Sequence, residues 1–92
     1  MTKVLHAAIT GRVQGVGYRA WTAETARRLG LVGWVRNRRD GSVEAVFKGD
    51  EDIVVRMLAE CWRGPRSAAV SGVIATAIAD AGWTDFSVRP TA

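Results

Sequence analysis

Residues 32–48 read VGWVRNRRDGSVEAVFK, two runs rich in β-branched and aromatic side chains on either side of Arg39-Asp40-Gly41. Asp-Gly between two strand-like runs is a strong signal for a tight β-hairpin turn. We therefore predict two antiparallel strands, over residues 32–38 and 42–48, joined at this turn. The hairpin decides the fold class, because it places two adjacent strands between two helical segments.

The segments on either side of this hairpin carry the 3.6-residue periodicity of helices. A first helix is predicted over residues 18–29, with Gly30 as its C-terminal cap. A second helix is predicted to begin at Asp50, a favourable capping residue, and to run to about Trp62. Its apolar stripe consists of Val54, Met57, Leu58, Cys61 and Trp62.

Three further runs are predicted to be strands, over residues 4–10, 69–77 and 85–89. The resulting order is β-α-β-β-α-β, with an extra edge strand allowed. This order is typical of a ferredoxin-like α+β sandwich, in which a mainly antiparallel sheet carries both helices on one face. We expect residues 1–92 to form one such domain. The fold alone does not indicate the function, because it hosts many unrelated ones.

Composition and charge narrow the classes of function. Thirteen Lys and Arg against nine Asp and Glu give a formal net charge of +4, which favours anionic partners. No apolar run is long enough to span a bilayer and no signal-peptide pattern is present, so a cytoplasmic protein without a membrane partner is expected. The single cysteine, Cys61, excludes an internal disulfide and offers no pair of metal ligands, so no metal is expected.

The segment between the first strand and the first helix gives the strongest functional signal. Residues 11–17 contain three glycines, which allow successive backbone N–H groups to point inward around an anion. The segment also opens into a helix, whose first N–H groups lack partners and favour negative charge. Arg19, in the first helical turn, adds a fixed cation. Backbone donors and one guanidinium group converging on a point suit a phosphate dianion.

Other interpretations of these residues are available. Residues 15–20 fit a loose dinucleotide-binding pattern, but a hairpin follows the helix where a parallel βαβ unit is needed. An RNA-binding ferredoxin-like module could stack bases on Trp34 and Phe47, although the glycine-flanked aromatic run of that class is missing and nucleic acid is therefore not the expected partner. A non-catalytic module that binds anions without turnover is a further alternative.

Two motifs of the chain resemble the acylphosphatase family. Residues 9–19, ITGRVQGVGYR, are similar to the family's signature at every position. Residues 33–37, GWVRN, resemble its second motif, and glycines follow at the expected intervals. The similarity extends over nearly the whole chain. Arg38 makes the rim of the expected site more basic than is usual, which bears on substrate preference.

The resemblance implies a hydrolase that cleaves the carboxyl-phosphate bond of a small-molecule acyl phosphate, with no cofactor, metal or phosphoenzyme, and a monomer is expected. By similarity, Arg19 binds the phosphoryl group and Asn37 orients the attacking water, so these two are the implied catalytic residues. The implied phosphate-binding loop consists of Gly15, Val16, Gly17, Tyr18 and Arg19.

These roles agree with the chemistry of an activated substrate. A carboxylate leaves readily, and phosphoryl transfer is catalysed chiefly by positioning and charge stabilisation. Asn37 can accept and donate hydrogen bonds but cannot act as a base, so we expect a phosphate oxygen of the substrate to take the proton. On its strand Asn37 shares a face with Val35, whereas Arg36 and Arg38 point the other way.

Structural roles are expected for the other conspicuous side chains. His6 lies in mid-strand without a nearby nucleophile motif and is interpreted as a surface or partly buried structural residue. Cys61 and Trp62 are assigned to the core stripe of the second helix. Trp34 is placed on the outer face of the sheet.

Overall fold

The computed structural model describes all 92 residues and contains five strands and two helices. The elements are β1 (Thr2–Arg12), α1 (Tyr18–Arg28), β2 (Val32–Asn37), β3 (Val43–Asp50), α2 (Glu51–Arg63), β4 (Ala69–Ala77) and β5 (Phe86–Val88). This confirms the predicted ferredoxin-like order, and β5 is the additional edge strand. Neither helix is long and apolar enough to cross a membrane.

The sheet has the strand order β4-β1-β3-β2-β5. All neighbours are antiparallel except β2 and β5, which run parallel and bring the C-terminal part of the chain beside the predicted second motif. Within the β2–β3 hairpin, Trp34 lies opposite Val46 and Gly33 lies opposite Phe47. The sheet is therefore mixed, with one parallel pair at its edge.

Side chains from the helix-facing side of the sheet form the core together with both helices. Phe47, fully buried, stacks on Phe86 of β5 with ring centroids 5.7 Å apart. Burying one side chain of this size contributes about 1.5–3 kcal/mol. The other core residues from β1, β2 and β3 are Leu5, Ala7, Ile9, Val35, Val43 and Ala45.

Both helices end near the capping residues that the sequence predicts. α1 ends just before Gly30, whose φ of 75° is the left-handed conformation that a helix C-terminus favours in glycine. Asp50 occupies the N-cap position of α2, although its side chain makes no capping hydrogen bond. The acidic Glu51 and Asp52 stand in the first turn of α2, where negative charge complements the helix dipole.

Two aromatic side chains lie elsewhere than the sequence patterns suggested. The sequence pattern assigns Trp62 to the core stripe, and this prediction is wrong, since Trp62 is 52% exposed. It follows Cys61 by about 100° around the helix, in the last turn of α2, and so points outward. The RNA-binding alternative needs Trp34 and Phe47 on one face, and the structure contradicts it, because Phe47 packs in the core under the helices while Trp34 lies on the opposite face.

Trp34 is buried on the outer face by two arginines. Its exposed fraction is 8%, and the guanidinium carbons of Arg36 and Arg89 both lie 4.7 Å from the centre of its ring. His6 packs against the same ring at 6.5 Å, in an edge-on arrangement. The predicted face for Trp34 is confirmed, and these cations cover the surface on which a base would have to stack.

Candidate active site

The glycine-rich loop is held at both ends by buried side chains. Val13 and Tyr18 are each 1% exposed, and the residues between them are half-buried or exposed. Gly15 and Gly17 have φ values of 74° and 79°, a left-handed conformation that favours glycine at both positions. Gly17 is the N-cap residue of α1, so the loop ends where the free N–H groups of the helix begin.

Tyr18 anchors the loop to the second helix. Its hydroxyl donates a hydrogen bond to the backbone carbonyl of Cys61 at 2.7 Å. Its ring packs against Gly64, where an added Cβ would lie only 2.9 Å from the ring. Burial raises the pKa of the Tyr18 phenol well above its usual range and raises the pKa of the Cys61 thiol to about 12. Both groups are therefore neutral at physiological pH and serve packing.

One cavity of about 300 Å³ opens between the loop, the start of α1 and the ends of β2 and β5. It brings together Arg19 and Asn37, the two residues that the resemblance singled out, although they are 18 positions apart in the sequence. Val16 of the predicted loop does not line it and packs against the core instead. The lining residues are Val13, Gly15, Gly17, Tyr18, Arg19, Ala20, Asn37 and Val88.

Arg19 is the only charged side chain that lines this cavity. It is half-buried, and it takes part in none of the ion pairs or side-chain hydrogen bonds of the molecule. A guanidinium group carries five N–H donors, and in this position they are free to bind an anion. No group of three His, Cys, Asp or Glu side chains is placed to hold a metal ion.

Asn37 is the last residue of β2. Its backbone is held by hydrogen bonds, whereas its side-chain oxygen has no hydrogen-bond partner. It pairs with Val43 of β3, and its carbonyl accepts the N–H of Ala92 at 3.0 Å. Its Oδ1 is buried and has no hydrogen-bond partner. A buried polar atom without a partner costs about 1–3 kcal/mol, and this one belongs to a residue that lines the cavity.

Arg36 and Arg38 point away from the cavity, as predicted, and bind Glu44 on the outer face of the sheet. Glu44 is 4% exposed and also bonds to His6 Nε2 at 2.8 Å, which confirms a structural role for that partly buried histidine. Burial alone would raise the pKa of Glu44. Hydrogen bonds from His6 and Arg36, with the charges of Arg36 and Arg38, outweigh burial and hold this pKa below its ordinary value of 4.5.

Four residues at or near the cavity were not assigned to the site from the sequence, namely Val13, Ala20, Val88 and Gln14. Ala20 and Val88 add apolar wall, and only the parallel pairing of β5 with β2 brings Val88 here. Gln14 binds the loop to the β2–β3 hairpin through its side chain. The only available sequence signal for Gln14 was its position, as a polar residue directly between a valine and a glycine.

The fold and the cavity together define a class, a ferredoxin-like α+β protein whose first helix opens onto a small cationic cavity. Residues 5–88 match the family model described as acylphosphatase. The chain is 52% identical to an acylphosphatase of Rhodospirillum rubrum over 97% of this chain and 98% of that protein. It is 67% identical to one of Rhodopseudomonas palustris over 73% of this chain and 68% of that protein.

A solved structure agrees with these sequence matches. An acylphosphatase from Coxiella burnetii superposes with a TM-score of 0.93 at 38% identity, covering 96% of this chain and 93% of that chain. The chain therefore belongs to the acylphosphatase family and is a hydrolase acting on acyl phosphates.

Proposed function

We propose that this chain hydrolyses the carboxyl-phosphate bond of a small acyl phosphate by direct attack of water, with Arg19 binding the phosphoryl group and Asn37 orienting the water. The observation that carries this proposal is that Asn37, whose buried Oδ1 has no hydrogen-bond partner, lines the same cavity as Arg19, whose guanidinium has no partner either. One group requires an anion and the other requires a donor. A phosphoryl group with an attacking water supplies both.

The phosphoryl group would be held by the loop and the start of α1. The backbone N–H groups of Gly15, Val16, Gly17, Tyr18 and Arg19 form the proposed cradle. The left-handed conformations at Gly15 and Gly17 are of the kind that turns successive N–H groups toward one point. The N-terminus of α1 adds its dipole, and Arg19 adds a full charge.

The proposed reaction needs no protein base. The water oxygen attacks phosphorus, the bond between phosphorus and the acyl oxygen breaks, and the carboxylate leaves with that electron pair. One proton of the water passes to a phosphate oxygen of the substrate, so inorganic phosphate is released. Asn37 Oδ1 accepts a hydrogen bond from the water and fixes its direction of attack. A loose transition state of this kind places its charge on the equatorial oxygens, which the cradle and Arg19 surround.

Removing one preorganised donor that faces developing charge typically costs about 10²–10³ in kcat. Arg19 contributes several donors and a charge, so its removal is expected to reach the upper end of that range. Asn37 contributes orientation, which is commonly as important as charge in a reaction that needs one water in line.

The test is hydrolysis of benzoyl phosphate in EDTA by the wild type and by Arg19→Ala and Asn37→Ala. Arg28→Ala is the matched control, because Arg28 is an exposed arginine in the last turn of the same helix and lies away from the cavity. We expect metal-independent turnover in the wild type and in the control, and loss of turnover in both folded site variants.

Other results would point to other functions. A wild type that binds inorganic phosphate without turnover would be a non-catalytic anion-binding module. Turnover that EDTA abolishes would show that a metal takes part. Full activity in Asn37→Ala would disprove the role of that residue while leaving the hydrolase assignment in place.

Three broader expectations stay predictions. They are that residues 1–92 form one domain, that the protein is a monomer, and that it works in the cytoplasm. Light scattering at several concentrations tests the second of them directly.

A further inference from the structure

Gln14 joins two parts of the site that are distant in the sequence. Its side-chain Nε2 donates to the backbone carbonyl of Arg38 at 2.7 Å and to that of Ser42 at 2.8 Å. A side-chain amide nitrogen carries two N–H groups, so both donors are used. The two carbonyls lie at the two ends of the β2–β3 turn, and the first of them belongs to the residue directly after Asn37.

The turn does not need these two hydrogen bonds in order to close. The carbonyl of Arg38 already accepts the N–H of Gly41 at 3.1 Å, and the carbonyl of Ser42 accepts the N–H of Arg38 at 2.8 Å. The side chain of Asp40 also accepts a hydrogen bond from the Ser42 N–H at 2.9 Å. Gln14 therefore binds to the remaining lone pairs of a turn that is complete without it, and fixes where the loop lies relative to that turn.

The loop, in contrast, has little else to hold it between its buried ends. Among the backbone hydrogen bonds outside the helices and strands, the only one that involves residues 13–17 is accepted by the Gly17 carbonyl from Trp21. No atom of another part of the chain lies within 4 Å of the position that a Cβ would take on Gly15 or Gly17. The hydrogen bonds of Gln14 are therefore what fixes the place of this loop relative to the hairpin.

We propose that Gln14 is a positioning residue that sets the separation between the phosphate cradle and Asn37. This inference rests on the proposed function, since it assigns the cradle to the phosphoryl group and Asn37 to the water. Gln14 lies beside Gly15, where the cradle begins, and binds the residue beside Asn37, so it spans the distance between the two reacting partners. Gln14 itself does not line the cavity.

Gln14→Met tests the proposal, because methionine has a similar length but no N–H donor. The cradle and Arg19 remain, so the inhibition constant of inorganic phosphate should stay within about twofold. The water is no longer held at the right distance, so kcat should fall by roughly 10- to 100-fold, as expected for a misplacement of about 1 Å. Ser42→Ala is the matched control, since it removes the hydroxyl that donates to Asp40 at 2.6 Å and leaves the carbonyl that Gln14 binds.

Gln14→Glu gives a second readout that a merely structural role would not change. An ionised glutamate has no donor and faces two carbonyl oxygens, which favours its protonated form and raises its pKa above the ordinary value of about 4.3. The protonated acid regains one O–H donor. The kcat of Gln14→Glu relative to Gln14→Met should therefore rise as the pH falls from about 7 to about 5.

The double variant Gln14→Met/Asn37→Ala separates this inference from the proposed function. If Gln14 acts through Asn37, the double variant has the same kcat as Asn37→Ala alone. If the two losses multiply, Gln14 does not act through Asn37 and the inference is wrong, while the proposed function stands. If Asn37→Ala is fully active, the proposed function fails first.

Two further results would overturn the inference. One is an unchanged kcat in folded Gln14→Met. The other is a phosphate inhibition constant that rises in parallel with the loss of kcat, because this would make Gln14 a binding support of the cradle. If Gln14→Met does not fold, the same comparison is made with Gln14→Glu at neutral pH, where its carboxylate cannot donate.

Discussion

The cavity at the start of α1 and the outer face of the sheet place an arginine in opposite surroundings. In the cavity, Arg19 is half-buried and has no carboxylate partner. On the outer face, Arg36 is also half-buried, but it binds Glu44 and lies over the ring of Trp34. A partly desolvated charge without a partner is costly, whereas a paired one is compensated. The difference supports the proposal that Arg19 binds an anionic ligand, whereas the contacts of Arg36 serve the fold.

The largest expected difference comes from replacing each of these arginines with lysine. Lysine keeps the positive charge but loses the planar fork of donors. We expect kcat/KM for benzoyl phosphate to fall about 100-fold in Arg19→Lys, as for the loss of a preorganised donor, and to change less than about twofold in Arg36→Lys. Steady-state kinetics on both folded variants measures this. Equal losses in the two variants would remove the distinction.

Glu44→Gln is expected to have the next largest effect, and on stability. It removes the charge that Arg36, Arg38 and His6 share. Because these partners are partly exposed to water, the loss is below that of a fully buried pair, at about 1–2 kcal/mol of unfolding free energy. Urea denaturation measures the change, and kcat should stay at the wild-type value. A stability equal to the wild type would mean that the outer-face pairs contribute nothing.

The same carboxylate predicts a dependence of stability on pH. The pKa of Glu44 is lower in the folded state, so its contribution is fully present above the ordinary, unfolded-state pKa of 4.5 and is lost as the pH falls through the folded-state pKa. The urea midpoint should therefore fall more steeply on acidification below about pH 5 in the wild type than in Glu44→Gln. Asp40 and Asp80 have pKa values lowered by hydrogen bonds from Ser42 and Lys48. Both carboxylates are present in the wild type and in Glu44→Gln, so they add the same pH dependence to the two urea midpoints. Parallel curves would contradict the prediction.

Arg63→Ala should have the smallest effect. Arg63 pairs with Glu60 one helical turn away at 2.6 Å, but its side chain is 75% exposed. Pairs of this kind contribute at most about 0.5 kcal/mol, so the urea midpoint should barely move. A large loss of stability would show that the exposure of Arg63 does not make its ion pair weaker than that of the half-buried Arg36.

Most of the fold could be predicted because its signals are local. The Asp-Gly turn predicts the hairpin, the 3.6-residue periodicity predicts both helices, and Gly30 marks the end of α1. The failures concern orientation at the ends of elements and across strands. Trp62 continues an apolar stripe in sequence but is 52% exposed in the last turn of α2. The face of Phe47 depends on the hairpin register, and a shift of one residue would reverse it.

The candidate site could be predicted in part. The loop and Asn37 stand in two motifs that are visible in the sequence, and the strand alternation of Asn37 against Arg36 is confirmed by the contacts with Glu44. The catalytic roles of Arg19 and Asn37 stay predictions. Contacts over long separations were not accessible from the sequence. The hydrogen bonds of Gln14 to the hairpin and the arrival of Val88 beside β2 depend on how the finished sheet is assembled.

The hydrogen bond from Tyr18 to the Cys61 carbonyl bears on how the protein loses activity with heat. It ties the end of the cradle to the last turn of α2, so the cradle cannot open alone without breaking this bond and exposing the ring of Tyr18. Exposing a ring of that size costs roughly 2 kcal/mol. A cost of this size makes local opening at this end of the cradle rarer by a factor of roughly 30. Heat inactivation that begins below the melting transition should therefore start in residues 14–17 and not at Tyr18.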